Sequence, residues 1–115
     1  MTPERVKEEV KSILRRLNLI ENRKLNFTSE TRAFDVISDV TFVSCPFGNV
    51  TARLPSAFSK LGSNYILKKT DNINTVTIQA DGSETIDGSN TYPLTTQYQV
   101  VNLFSDGTEW HIIGT

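Results

Sequence analysis

The residues with chemically active side chains are few, and their neighbours favour turns over catalysis. His111 is the one histidine of the chain, so an imidazole base or metal ligand would have no second histidine to act with. Asp81, Asp87 and Asp106 each precede a glycine. Asp71 precedes an asparagine, and pairs of this kind are typical of tight turns. We therefore interpret these four carboxylates as turn residues rather than as a paired acid and base.

A calcium site at Asp81 and Asp87 is an alternative, but the spacing of a calcium-binding loop is absent. Glu84 lies between Ser83 and Thr85, outside such a turn motif. Cys45 is the only cysteine, which excludes an internal disulfide and a multi-cysteine metal site. Its apolar neighbours predict a buried thiol that packs as a small hydrophobe. No glycine-rich phosphate loop is present, so we expect no catalytic residue, metal or cofactor.

Aromatic residues of the C-terminal region offer the remaining binding chemistry. Tyr92, Tyr98 and Trp110 are candidates for rings that face a ligand, either a sugar or a nucleic-acid base. The formal net charge of -1, with no basic residues among these rings, argues against nucleic acid. Carbohydrate binding by these rings therefore remains an alternative. We favour the simpler interpretation that the rings of a small β-domain fill its core.

The elements that would position these residues are short strands separated by turns. Residues 98–104 and 110–113 are predicted to pair as a hairpin across Asp106-Gly107. Strands are also predicted at 50–54, 65–69 and 76–79, with a looser alternation over 34–43. Turn signals recur about every ten residues, and no strand–helix–strand rhythm is present. The pattern predicts a mainly β protein, with a compact antiparallel β-sandwich or barrel-like domain over residues 34–115.

Residues 1–22 have the pattern of an α-helix, followed by a polar connector over 23–33. Thr2 is suited to the N-cap, and Pro3 to the first helical turn. Apolar residues then follow at alternating spacings of four and three, as along a heptad seam. The seam residues, predicted to serve oligomerisation or docking, are Val6, Val10, Ile13, Leu14, Leu17 and Ile20.

So short a seam needs a partner to stay helical. The partner is the β-domain of the same chain, other copies of the helix, or the surface of another protein. Leu17 lies at heptad position a, and Ile13 and Ile20 lie at position d. Leucine at a with isoleucine at d favours bundles of three or four helices over two.

The C-terminal region also resembles a β-domain found in bacteriophage virion proteins. The resemblance is carried by YILKKTD at 65–71, TVTI at 75–78, GSETIDG at 82–88 and the closing SDGTEWHII at 105–113. It extends upstream to NVTARLPSA at 49–57, while the predicted helix and connector lie outside it. Tail fibres, spikes and small head-attached proteins of phages carry this module.

The resemblance implies a non-enzymatic structural protein of a tailed phage. One module and one short helix favour a small homotrimeric capsid decoration, cement or head-fibre protein, since trimers suit the local three-fold positions of a capsid. Its partners would be its own copies and the major capsid protein or other virion proteins. A tail-fibre, spike or adaptor component is the alternative within this class, and a carbohydrate-binding module for host-surface glycans is the alternative from another class.

The expected location is the virion, after assembly in the host bacterial cytoplasm. No window of the sequence is long and apolar enough to span a bilayer, so no membrane partner is expected. The N-terminus lacks the pattern of a signal peptide.

Overall fold

The structure, a computed structural model, describes residues 25–115 as nine strands in two sheets. The predicted helix over 1–22, with all six seam residues, lies outside the described residues. The strands are β1 Phe27–Glu30, β2 Phe34–Asp35, β3 Val40–Val43, β4 Val50–Arg53, β5 Asn64–Lys69, β6 Val76–Gln79, β7 Thr91–Leu94, β8 Val100–Ser105 and β9 Trp110–Gly114. A short 3₁₀ turn, Phe58–Lys60, lies between β4 and β5.

The first six strands alternate between the two sheets. β1, β3 and β5 pair in parallel in one sheet, while β2, β4 and β6 pair in parallel in the other. Each odd strand and the even strand after it form a β-arch, and three such arches stack side by side. The mainly β class is confirmed, but the prediction of an antiparallel domain is wrong, because both sheets are mixed.

The direction of the chain reverses after the third arch. β7 pairs antiparallel with β6, and β8 pairs antiparallel with β5. β9 then pairs with β8, so that Trp110 lies opposite Ser105, and the predicted C-terminal hairpin is confirmed. Pro93 lies in β7, which is an edge strand, where a residue without an N–H donor is tolerated.

Three segments differ in detail from the sequence interpretation. Residues 91–94, where no strand is predicted, form β7. Residues 34–43, read as one loosely alternating run, contain β2 and β3, which lie in different sheets. Residues 23–33, read as a connector, contain β1, whose four residues all pair with β3. The side chains of β1 are exposed or half-buried, which explains why its sequence has no clear apolar period.

The core lies between the two sheets and is built by simple alternation along each strand. In β5, for example, Tyr65, Leu67 and Lys69 are buried while Asn64 is exposed. The apolar residues of the core are Phe34, Val36, Val43, Cys45, Val50, Ala52, Leu54, Ala57, Tyr65, Leu67, Val76, Ile78, Ala80, Ile86, Leu94, Val101, Leu103 and Trp110. Burying one large apolar side chain contributes about 1.5–3 kcal/mol, so this cluster is the main source of stability.

Candidate functional site

Glu84 ties the turn after β6 to the segment that follows β4. Its Oε1 accepts a hydrogen bond from the backbone N–H of Ala57 at 2.9 Å, and its Oε2 accepts one from Ser56 Oγ at 3.1 Å. Ala57 is fully buried, so its N–H would otherwise lack a partner. The carboxylate therefore has a structural role, in the centre of the region that resembles the phage module.

Trp110 joins the same region from the C-terminal hairpin. Its backbone N–H donates to the carbonyl of Thr85 at 2.9 Å, and its indole Nε1 donates to the carbonyl of Pro55 at 3.2 Å. The ring is 0% exposed and lies 5.5 Å, between centroids, from the ring of Tyr65. Trp110 therefore belongs to the core and cannot present its ring to a ligand, in agreement with the simpler interpretation of the aromatic residues.

Asp106 organises the turn between β8 and β9, as its place before Gly107 predicts. Its Oδ1 accepts hydrogen bonds from the backbone N–H groups of Thr108 and Glu109, both at 2.8 Å. Its Oδ2 lies 2.7 Å from Nε2 of His111. The N–H of Glu109, the His111 side chain and the N–H of Thr108 together lower the pKa of Asp106 to about 2.

His111 lies at the surface among three carboxylates. Asp106 is its close partner, while Asp87 lies 3.6 Å from Nδ1 and Glu109 lies 3.8 Å from Nε2. The hydrogen bond to Asp106 is the largest of the effects that raise the pKa of His111; partial desolvation opposes it, and the charges of the three carboxylates add to it. The imidazole is thus placed to carry a positive charge, which stabilises the β8–β9 hairpin through its ion pair with Asp106.

Lys69 occupies an interior position at the end of β5. Its side chain is 0% exposed, and its Nζ donates to Asp71 Oδ1 at 2.6 Å, to the Asp71 carbonyl at 2.9 Å and to the Ile73 carbonyl at 2.7 Å. Three acceptors match the three N–H donors of the ammonium group, which makes this burial tolerable. The alternation along β5 puts Lys68 and Lys69 on opposite sides of the strand, and Lys69 is the one of the two that is buried.

Cys45 is the buried thiol that the sequence predicts, and it adjoins this ion pair. Its backbone N–H donates to Asp71 Oδ2 at 2.6 Å, and its carbonyl accepts from Asn74 Nδ2 at 2.6 Å. Burial, and then the negative charge of Asp71, raise the pKa of Cys45, so its thiol stays protonated. The polar groups around the β5–β6 turn therefore hold together the ends of two arches.

The remaining aromatic candidates, Tyr92 and Tyr98, line one groove of about 740 Å³. Tyr92, in β7, is half-buried against the core, whereas Tyr98 is 62% exposed in the turn before β8. The structure thus brings two of the three predicted ligand-facing rings to the same cavity. Gln99 and Asn102, which the sequence interpretation missed, line it as well. The sequence feature that could have identified these two amides is their position next to Tyr98, at the start of the strand that follows it.

Within residues 25–115, no group of three or more His, Cys, Asp or Glu side chains has an arrangement that could hold a metal ion. Over the same range, none of the helical segments has the length and apolarity needed to cross a bilayer. No model of a known protein family matches the sequence, and no curated protein matches it either. The resemblance to the phage β-domain therefore stays a prediction made from the motifs between residues 49 and 113.

Proposed function

We propose that this chain is a structural protein of a bacteriophage virion, and within that class a small homotrimeric capsid decoration, cement or head-fibre protein. The observation that carries the proposal is the spatial meeting of the motifs on which the resemblance rests. These motifs are far apart in sequence: Leu54-Pro55, Ser83-Glu84-Thr85 and the closing segment 105–113 with Trp110. They are nevertheless joined through Glu84 with Ala57 and through Trp110 with Pro55 and Thr85.

This network explains why such motifs would recur together in a module. Each residue type is needed for a bond to another motif: the Glu84 carboxylate accepts from the N–H of buried Ala57, and the Trp110 indole donates to the carbonyl of half-buried Pro55. A unit held by such internal bonds can be joined to different partners without loss of its own fold. That property suits a module used at several places on a virion.

Assembly into larger particles is supported by the exposed surface of the first two strands of one sheet. Phe27 in β1 is 67% exposed and packs edge-to-face on Phe42 in β3, with ring centroids 6.1 Å apart. Among the strands of residues 25–115, β1 lies at the edge of its sheet, and an exposed edge with aromatic side chains is a surface that proteins usually cover with a partner. In the proposed trimer, the seam over residues 1–22 supplies the remaining contact.

Quantitative mass spectrometry of purified particles of the parent phage tests the class. Copy numbers comparable with the major capsid protein are expected for a decoration or cement protein. A few copies per particle would replace this assignment with the tail-fibre, spike or adaptor alternative. Absence from the particle would refute the virion proposal.

Native mass spectrometry of the full chain tests the trimer. Ile13→Asp places a charge in the seam and should convert trimers to monomers, since a buried uncompensated charge is costly. Ser12→Asp introduces the same charge one residue away from the seam and should leave the trimer intact. Monomers in the unmodified chain, or trimers in Ile13→Asp, would refute a seam-driven trimer.

A further inference from the structure

The geometry of the groove at Tyr92 and Tyr98 points to a binding site for a carbohydrate. The cavity of about 740 Å³ has room for a short oligosaccharide, since ligand pockets in proteins span about 300–1,000 Å³. Its lining combines aromatic rings with uncharged amides, the combination that sugars require. Sugars offer C–H faces that stack on rings and hydroxyl groups that bond to amides.

The two tyrosines differ in burial, so that Tyr92 forms the base of the groove and Tyr98 forms one side of it. Tyr92 is half-buried against the core, so its position is fixed by packing. Tyr98 projects from the turn before β8, and the ammonium group of Lys68 lies 5.3 Å from its ring centroid. This cation–π contact restrains the exposed ring without covering it with apolar side chains.

Backbone strain accompanies the exposed ring. Tyr98 has a φ of 66°, in the left-handed region that bulky residues rarely adopt. Glycine or asparagine would adopt this conformation more readily, and the cation–π contact with Lys68 is a small return for the strain of a tyrosine here. Strained residues with exposed side chains are concentrated at binding sites, where the strain positions a group for a ligand.

The two amides of the groove are oriented by the protein. Oε1 of Gln99 accepts hydrogen bonds from the N–H groups of Thr95 and Thr96, at 2.8 and 3.1 Å. Oδ1 of Asn102 accepts one from Asn64. Within residues 25–115, no acceptor takes the NH₂ group of either amide, so both groups can serve as donors for sugar hydroxyl oxygens.

The test is binding of the purified full-length protein to a broad array of neutral and acidic oligosaccharides. For the oligosaccharide with the strongest signal, NMR titration should shift the backbone amides of Tyr98, Gln99 and Asn102. Tyr98→Asn removes the ring and relieves the strain. It should therefore weaken binding about tenfold or more while keeping at least the stability of the unmodified protein.

Phe58→Asn is the matched control, because Phe58 is 82% exposed and does not line the groove. It should leave the affinity unchanged. Tyr98→Gly provides a second variant, since glycine adopts the same backbone conformation. Binding that survives both Tyr98 variants, shifts confined to another surface, or no binding across the array would each overturn the site.

This inference does not rest on the virion proposal, because binding is measured on the isolated protein. Absence of the chain from phage particles would refute the virion proposal and leave the groove untouched. Failure of every oligosaccharide would refute the groove and leave the virion proposal in place.

Discussion

The ammonium group of Lys69 lies 2.6 Å from Oδ1 of Asp71, with the lysine side chain entirely enclosed by protein. Burial by itself would raise the pKa of Asp71, but the hydrogen bonds from Lys69 and from the N–H of Cys45 outweigh it and hold that pKa below its usual value. The pair joins the end of β5 to the turn before β6. An internal charge pair of this kind makes the fold sensitive to the loss of either partner.

Lys69→Met should destabilise the protein by about 3 kcal/mol. The change leaves the Asp71 carboxylate and two backbone carbonyls without their shared donor. We expect the lower end of the range for a broken buried pair, because the side chain of Asp71 keeps 23% of its exposure to solvent. Urea unfolding followed by circular dichroism measures the change.

The control for that variant is Lys68→Met, which removes the same charge from the neighbouring, outward position. Its cost should stay within about 1 kcal/mol, since the contact of Lys68 that is lost within residues 25–115 is the cation–π contact with the exposed ring of Tyr98. Equal losses for the two variants would contradict the structural role assigned to Lys69.

Glu84→Ala should destabilise the protein by about 1–3 kcal/mol, because it removes the acceptor for the buried N–H of Ala57 and for Ser56. Asp81→Ala changes an exposed carboxylate of the same turn and should cost less than about 0.5 kcal/mol. Chemical unfolding of the two variants makes the comparison. A neutral Glu84→Ala would show that this carboxylate does not hold the module together.

Trp110 should fluoresce at short wavelength and resist quenching by acrylamide, because its ring is fully enclosed by protein. The chain has one tryptophan, so the emission reports this site alone. Unfolding in urea supplies the control, with a shift to longer wavelength and efficient quenching. Long-wavelength emission from the folded protein would place the ring at the surface and contradict the core assignment.

His111→Gln should remove a contribution to stability that depends on pH. The folded pKa of His111 is raised above 6.5, so its stabilising effect is fully present below pH 6.5 and is lost as the pH rises through the folded value. The stability difference between the native protein and the variant should therefore shrink on going to alkaline pH. Unfolding at a series of pH values measures it, and NMR titration of the single imidazole reports its pKa directly.

The pKa of Asp106 sets the lowest pH at which the pair with His111 contributes to stability. Its folded pKa of about 2 lies below the ordinary 3.8, so its contribution is present above pH 3.8 and is lost as the pH falls toward 2. Both contributions are therefore present together between pH 3.8 and 6.5. An imidazole that titrates at or below 6.5 would contradict the pairing of Asp106 with His111.

The sequence predicts the C-terminal hairpin and the strands β4, β5 and β6 because these have local causes, whereas β7, an edge strand that contains Pro93, is not predicted. Asp106-Gly107 specifies a turn, and side chains alternate on both sides of it. Parallel pairing has no such local cause. The partner of β3 is β5, which follows it in the same sheet only after β4 has crossed to the other sheet. Loops and a strand make that crossover instead of a helix, so the usual sequence cue was missing.

The same distinction explains the candidate site. Burial of Trp110 and Cys45 could be predicted from residue type and neighbours, since both are favoured in cores. The enclosure of Lys69 depends on Asp71 and on carbonyls of a turn whose path is not encoded locally. The grouping of Tyr92 with Gln99 and Asn102 likewise depends on the return of the chain through β7 and β8.

The two ends of the stack of arches differ in how the strands pair: strands β1 to β6 pair in parallel, whereas β7 and β8 add antiparallel partners to the last arch. Each arch offers the next one the same pair of parallel strand edges, at the usual spacing of about 4.8 Å between strands. Duplication of an arch would therefore add one parallel strand to each of the two sheets. The reversed strands β7 to β9 end this progression, because they present antiparallel partners to the last arch. Longer relatives of this architecture could be built by repetition upstream of one unchanged terminating unit.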